Sequence, residues 1–468
     1  MSLKRALAIA AAGAVAAAGG IASIALSAGP AAAATTTFVT LPFTSYFGML
    51  VDPANQHLFV TGGASSSSIL VMDYSGDTVA TIPDEPGASG LALSGDGSTV
   101  YVALAGGDAI SAISTSTLTE TARYATGTDP AYVAYAGGKV WFGYGSSPDG
   151  GPGIGSVDPG TSPATVTLNA TNDPAYNWSS APELAATPAG DLVAGAGLGS
   201  LELASYDVST GTASTLTPLT SFGNYSGLTD MQITPDGQDV VVATSPAQTI
   251  FQVSDLSVVG TFTVAPNASK VAFASDGTVA AGMRGIFHGQ SLGEVSLFAP
   301  GGSTPLNTYI LGAFPPLGLA LSPDVSVLFA VAVSLTPRPP FTTHIGLHII
   351  TDPAQTPSTL TVAGPDAAVK HNVPVTLTGT LGGTAPYNGG QTLTVTRTDS
   401  AEPDGVALPD VTTAADGSFT ITDSLPKLHA NQGIVTYQFS YAGDPLLTAS
   451  SATFSVTVQP GNGNDNNS

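Results

Sequence analysis

The chain has 468 residues, 43% of them hydrophobic and 9% charged, with 55 Gly, 35 Pro and no Cys. Its 33 acidic against 10 basic side chains give a formal charge of −23 at pH 7, a field that repels phosphate backbones and anionic lipid and argues against nucleic-acid or peripheral membrane partners. The absence of cysteine excludes disulfides, thiolate metal sites and cysteine nucleophiles, and the Gly, Pro, Ser and Thr load leaves too few Glu, Lys and Arg for long surface helices, which favours an all-β protein.

Residues 1–34 read as a secretory signal peptide. Lys4 and Arg5 precede an uncharged Ala/Gly/Ile/Leu stretch over 6–28, then Gly29-Pro30 and the small-residue run 31–34, with cleavage expected after Ala34. About 23 uncharged residues are long enough to span a bilayer, but Ala and Gly give little transfer free energy. Loss of Lys4 and Arg5 makes the mature chain more acidic still. The expected address is secreted or extracellular, released or held non-covalently at the cell surface, with no membrane span after cleavage.

From residue 35 to 357 one unit recurs: an apolar strand, a tight turn, a second apolar strand and two weaker ones. The turns are Asp52-Pro53-Ala54-Asn55, Gly95-Asp96-Gly97, Gly137-Gly138, Ala189-Gly190, Asp236-Gly237, Asp276-Gly277 and Pro323-Asp324-Val325. They follow one another at about 45 residues, the dimension of a four-stranded propeller blade. The second unit predicts strands at 90–94, 99–103, 109–113 and 120–124, and the fifth at 231–233, 239–243, 249–253 and 258–264. Asp-Gly supplies the positive φ of a tight hairpin, and Gly and Pro interrupt every candidate helix. The prediction is a seven-bladed β-propeller over 35–357. Residues 36–41, TTFVTL, look like an outermost strand yet precede the first inner one, so they are expected to complete the seventh blade and close the ring.

Residues 90–103, GLALSGDGSTVYVA, and 228–243, LTDMQITPDGQDVVVA, resemble the blade motif of the YVTN family of β-propeller proteins, which is similar in layout to WD-repeat and lactonase-type propellers. The resemblance covers about 320 residues. It implies the fold, and no single function, because such propellers host binding proteins and enzymes alike.

Aligning the inner strands seven residues before each turn reference gives Gly48, Gly90, Ala131, Glu183, Asp230, Lys270 and Gly318. Three consecutive blades thus place charges where the others have Gly or Ala, predicting a cluster of Glu183, Asp230 and Lys270 near one mouth of the channel. The inter-blade links carry aromatics, of which Tyr176, Trp178 and Tyr225 are candidate ligand contacts; Tyr46, Phe47, Tyr132, Phe222 and Phe314 lie in equivalent links. Aromatic faces beside Asn and Asp suit sugars, peptides or a partner surface; the same rings also suit the core between blades. Gly289-Gln290-Ser291-Leu292-Gly293, with His288 beside it, matches a nucleophile elbow in letters, but that motif works only between a strand and a helix. His344 and His348 have a helical metal-pair spacing, yet their apolar flanks predict a strand, where they stand about 13 Å apart, too far for one zinc. No Asp-x-Asp-x-Asp-Gly calcium loop exists in the chain.

Residues 351–358 form a polar link, and over 358–459 the rhythm changes to strands at 373–381, 391–398, 418–422, 434–441 and 452–458, predicting an Ig-like β-sandwich. The segments Tyr441-Ala442-Gly443-Asp444, 450–458 and Ala415-Asp416-Gly417-Ser418-Phe419 resemble bacterial Ig-like repeats, and the whole resembles secreted actinobacterial-type surface proteins. Residues 460–468 are expected to be a disordered tail. The resemblance implies a spacer or adhesive module. The functional expectation is a secreted non-catalytic binding, adhesion or scaffold protein, without a resident cofactor, whose partner is an extracellular protein, a peptide or a cell-wall glycan. The rival expectation is a secreted propeller enzyme of lyase or lactonase type, with a divalent cation at the channel mouth.

Overall fold

The computed structural model describes residues 36–459 except 146–150, 173–177, 198, 246, 263–267, 288–289, 313, 315, 336–342, 371–372 and 426–432. The expected signal peptide and tail, and with them Tyr176, His288, His371 and His429, lie outside the described residues.

Apart from one 3₁₀ turn at Gly63–Ser65, the regular structure of the described residues is strand, and no helix among them is long and apolar enough to cross a membrane. They divide into two units, one within Ala32–Gln355 and the other within Thr356–Ser468.

In the first unit the strands form seven four-stranded antiparallel sheets. Their innermost strands, in chain order, are Gly48–Asp52, Ala88–Leu93, Pro130–Ala136, Glu183–Ala186, Ser226–Ile233, Ala268–Phe273 and Gly318–Leu321. The sheets are numbered 1 to 7 accordingly. Each inner strand neighbours the next, and that of sheet 7 neighbours that of sheet 1, so the arrangement is propeller-like.

Local chemistry sets each sheet. After the inner strands of sheets 2, 5 and 6 the chain reverses at Gly97, Gly237 and Gly277, with φ of 73°, 72° and 90°, a region open to glycine at little cost. The preceding aspartate fixes the turn from within: Asp96 Oδ1 accepts the Ser98 N–H at 3.0 Å and Asp236 Oδ1 accepts the Gln238 N–H at 3.1 Å. Second strands such as Thr99–Leu104 are buried on both faces, because a neighbouring sheet covers each side, whereas the outer strand Glu120–Ala125 alternates between exposed and half-buried positions.

Closure rests on the N-terminal strand. Thr36–Thr40 pairs antiparallel with Thr343–Thr351, from Thr36 opposite Ile350 to Thr40 opposite Gly346. The Leu41 N–H then donates to Ile345 O at 2.9 Å, and the Leu41 side chain joins a core in which Leu58 and Val60 of sheet 1 meet Phe329 and Leu347 of sheet 7. A Cβ on Gly346 would overlap the Phe38 ring, so glycine there lets the ring lie across the strand. Both enzyme-like letter patterns dissolve into this architecture. Ser291 lies in the strand Gln290–Phe298 opposite Ile286, so strand meets strand where an elbow needs a helix, and Gly289 is outside the described residues. His344 and His348 share the extended strand Thr343–Thr351, and the His348 ring sits 4.9 Å from that of Phe38.

The second unit has a three-stranded sheet, Thr359–Ala363, Pro374–Gly382 and Ser418–Ser424, and a five-stranded one in the order Val369–Lys370, Ser450–Gln459, Gly433–Tyr441, Thr392–Thr398, Val406–Thr412. Residues of Pro374–Gly382 alternate between exposed and buried, the signature of a sheet covered on one face. Phe419 of the smaller sheet and Phe439 of the larger stand 5.4 Å apart, and the buried Leu377, Val395, Tyr437 and Val456 complete the filling between the sheets.

Candidate functional site

The seven inner strands enclose a cavity of about 870 Å³. Six of the seven register positions read from the sequence, Gly48, Gly90, Glu183, Asp230, Lys270 and Gly318, stand on its wall. Bulges aim two of the charged ones: the pairing register of sheet 5 shifts between Leu228 and Asp230, and that of sheet 6 between Ala268 and Lys270. An extra residue on one strand bends it and redirects the side chain that follows.

Each carboxylate ties its sheet to the next. Glu183 Oε1 accepts the Met231 N–H of sheet 5 at 3.1 Å, and Asp230 Oδ2 accepts the Val271 N–H of sheet 6 at 2.8 Å. Lys270 Nζ donates to Thr229 O at 2.7 Å and lies 3.3 Å from Asp230 Oδ1. Asp230 is 8% exposed, so this pair is largely withdrawn from water. Burial, and then the Asp230 charge, push the Glu183 carboxyl up to about 7 against the opposing pull of Lys270 and the Met231 N–H. Burial works against the Lys270 ammonium, but the Asp230 and Glu183 carboxylates outweigh it and hold its pKa above the ordinary lysine value.

The aromatic side of the cavity comes from residues that the sequence placed in the links without favouring them. Tyr46, Phe47 and Tyr132 line the cavity, with the Phe47 and Tyr132 rings 5.4 Å apart. Burial and then Asp230 raise the Tyr46 phenol, and burial and then Glu183 raise that of Tyr132, so both stay neutral donors. The signal that marks Tyr46 is the glycine it covers: a Cβ on Gly318 would overlap its hydroxyl.

The expectation for Trp178 needs correction. Trp178 is 4% exposed and packs with Trp141, Leu184 and Tyr206 in the core between sheets 3 and 4; its ring is withdrawn from ligand because both neighbouring sheets offer it an apolar slot. Tyr225 is half-buried, packs beside Phe251 at 5.9 Å, and is not on the cavity wall. Tyr176 lies outside the described residues.

No protein-family model matches the chain, and no curated protein matches it. The solved structures it is similar to include the following two. One is the Kuenenia stuttgartiensis hydrazine synthase, at 17% identity and a TM-score of 0.44, covering 62% of this chain and 94% of that one. The other is the Cps50 (Swd1) β-propeller domain of Myceliophteria thermophila, at 12% identity and a TM-score of 0.49, covering 68% and 99%.

The elevated Glu183 pKa makes stability depend on pH. The folded chain keeps a proton that the unfolded chain, with its carboxyl near 4.5, releases earlier. This contribution is therefore complete below about pH 4.5 and is lost as pH rises through about 7. Glu183→Gln removes the slope. Chemical denaturation is expected to show the variant about 1–3 kcal/mol more stable than the parent at about pH 8 and equal to it at about pH 4.

Proposed function

We propose that the chain is an exported, non-catalytic binding or adhesion protein. In this reading residues 35–357 form a seven-bladed propeller of YVTN type, residues 358–459 an Ig-like module that acts as spacer or second contact, and the channel mouth holds the ligand. The observation that supports it is the convergence of Glu183, Asp230 and Lys270 from three consecutive sheets with Tyr46, Phe47 and Tyr132 on one cavity wall. Carboxylates, an ammonium and phenols around aromatic faces bind a molecule that offers both polar groups and an apolar face. The partner classes that fit are a cell-wall glycan, a peptide or an extracellular protein.

Lys270 favours holding over turnover, since an ammonium kept protonated is neither base nor nucleophile at neutral pH. The rival reading, a lyase- or lactonase-type enzyme with a divalent ion at the mouth, needs free carboxylate oxygens. Both Asp230 oxygens already have partners, one of them the Lys270 ammonium 3.3 Å away, and that ammonium repels a metal cation. The test is a glycan, cell-wall fragment and peptide array probed with the parent, Glu183→Gln and Lys270→Met. A ligand bound by the parent is expected to lose at least about tenfold in affinity in Glu183→Gln, the equivalent of one charge-assisted contact, and to change in affinity in Lys270→Met, which removes the ammonium from the same wall. Unchanged binding in both variants rejects the mouth as the site.

A further inference from the structure

The charges on the cavity wall do not balance. Its described titratable groups are Tyr46, Tyr132, Tyr135, Glu183, Asp230 and Lys270. Asp230 and Lys270 satisfy each other, and the Lys270 ammonium also spends a donor on Thr229 O. Glu183 is left as a second carboxylate without a cation of its own. Its Oε1 takes the Met231 N–H, and no described residue donates to its Oε2. Beside it stands Tyr132, close enough for the two groups to act on each other electrostatically, with the Phe47 ring 5.4 Å from that of Tyr132. A carboxylate with one oxygen open to an 870 Å³ cavity, next to aromatic faces, lacks only a positive partner.

We infer that the ligand of the mouth is an organic monocation, a primary ammonium or guanidinium on an apolar body, with Glu183 as its counter-ion and the Phe47 and Tyr132 rings as its wall. The inference rests on the reading of the mouth as a ligand site and names the class of that ligand. A cation there meets a carboxylate and the negative faces of two rings, and it returns the wall to neutrality. A divalent metal is served less well. It would need several oxygen ligands, whereas Asp230 has already committed both of its own, and Lys270 opposes a dication twice as strongly as a monocation. The titration of Glu183 makes such binding pH-sensitive, because the protonated carboxyl no longer neutralises the ligand; the Tyr46 and Tyr132 phenols, both raised by burial, stay uncharged throughout this range, and the other titratable groups on the wall are Tyr135, Asp230 and Lys270.

Calorimetric titration of the whole chain with benzylammonium and with benzyl alcohol, at low salt, separates charge from shape. At about pH 8 the ammonium is expected to bind at least about tenfold more tightly than the alcohol, and this advantage vanishes in Glu183→Gln and shrinks at about pH 5.5. Urea denaturation of the same variant confirms that it is folded. Equal binding of the two probes, no binding of either, or an ammonium preference that survives Glu183→Gln overturns the inference. The two readings fail separately. If an array ligand needs Glu183 and Lys270 while benzylammonium neither binds nor competes with it, the ligand class is wrong and the mouth stands. If array binding ignores both residues, the mouth itself is wrong.

Discussion

Deletion of residues 36–41 is expected to abolish or severely weaken the folding of the whole first unit, although most of these side chains are exposed. The strand Thr36–Thr40 is the outer member of sheet 7, and its loss leaves Thr343–Thr351 as an unpaired edge. Leu41, 3% exposed, also leaves the core where sheets 1 and 7 meet. Removal of a buried leucine costs about 2–5 kcal/mol, and the lost ladder and closure add to it, so the sum is on the order of 5 kcal/mol, comparable with the total stability of many domains. Urea unfolding of the truncated chain should show the transition of this unit lost or moved to much lower denaturant. An unchanged transition would mean that the strand is ornamental.

The second large effect is expected at Trp178. The chain has two Trp residues, and both Trp141 and Trp178 lie in the core between sheets 3 and 4. Trp178→Ala should therefore cost about 3–5 kcal/mol, the usual price of a buried indole, read from the fluorescence of the remaining Trp141. No described residue accepts a hydrogen bond from the Trp178 indole N–H, so Trp178→Phe, which removes an unsatisfied donor with little loss of volume, should recover most of the deficit. Ligand binding at the mouth, measured where the alanine variant is still folded, should be unaltered. Unaltered stability with lost binding would return Trp178 to the ligand face.

These contrasts explain how much the sequence disclosed. The repeat was legible because each inner hairpin needs a left-handed residue, and at five of them glycine provides it: Gly97, Gly138, Gly190, Gly237 and Gly277 all have positive φ. The first and last were harder to place, because Gln56 and Val325 adopt φ of 54° and 63° without an identifying side chain; Val325 is held there at 1% exposure, so burial overrides its intrinsic reluctance. The charged trio was legible for the same reason: a register counted from the turns puts Glu183, Asp230 and Lys270 at one height, and the cavity wall holds all three. Their hydrogen bonds to the next sheet were not, since Met231 and Val271 contribute backbone N–H groups that every residue carries. The link aromatics were the least legible. A link has no period, so nothing in the letters separates Tyr132, which faces the cavity, from Trp178, which faces the core.

A single cavity wall shared by all seven inner strands depends on sheets 1 and 7 being neighbours, and the absence of native cysteine gives a direct way to ask. Phe38 and His348 are opposite partners in the closing pair, on segments at the two ends of the first unit. In a chain carrying Phe38→Cys and His348→Cys, mild oxidation is expected to form one intramolecular disulfide, detected as two thiols lost to alkylation and as faster migration in a denaturing gel, because cross-strand partners lie within bonding reach. Two thiols that stay free in the folded, oxidised chain would contradict the closed arrangement, and with it the single cavity wall on which Tyr46 and Phe47 stand with Glu183, Asp230 and Lys270.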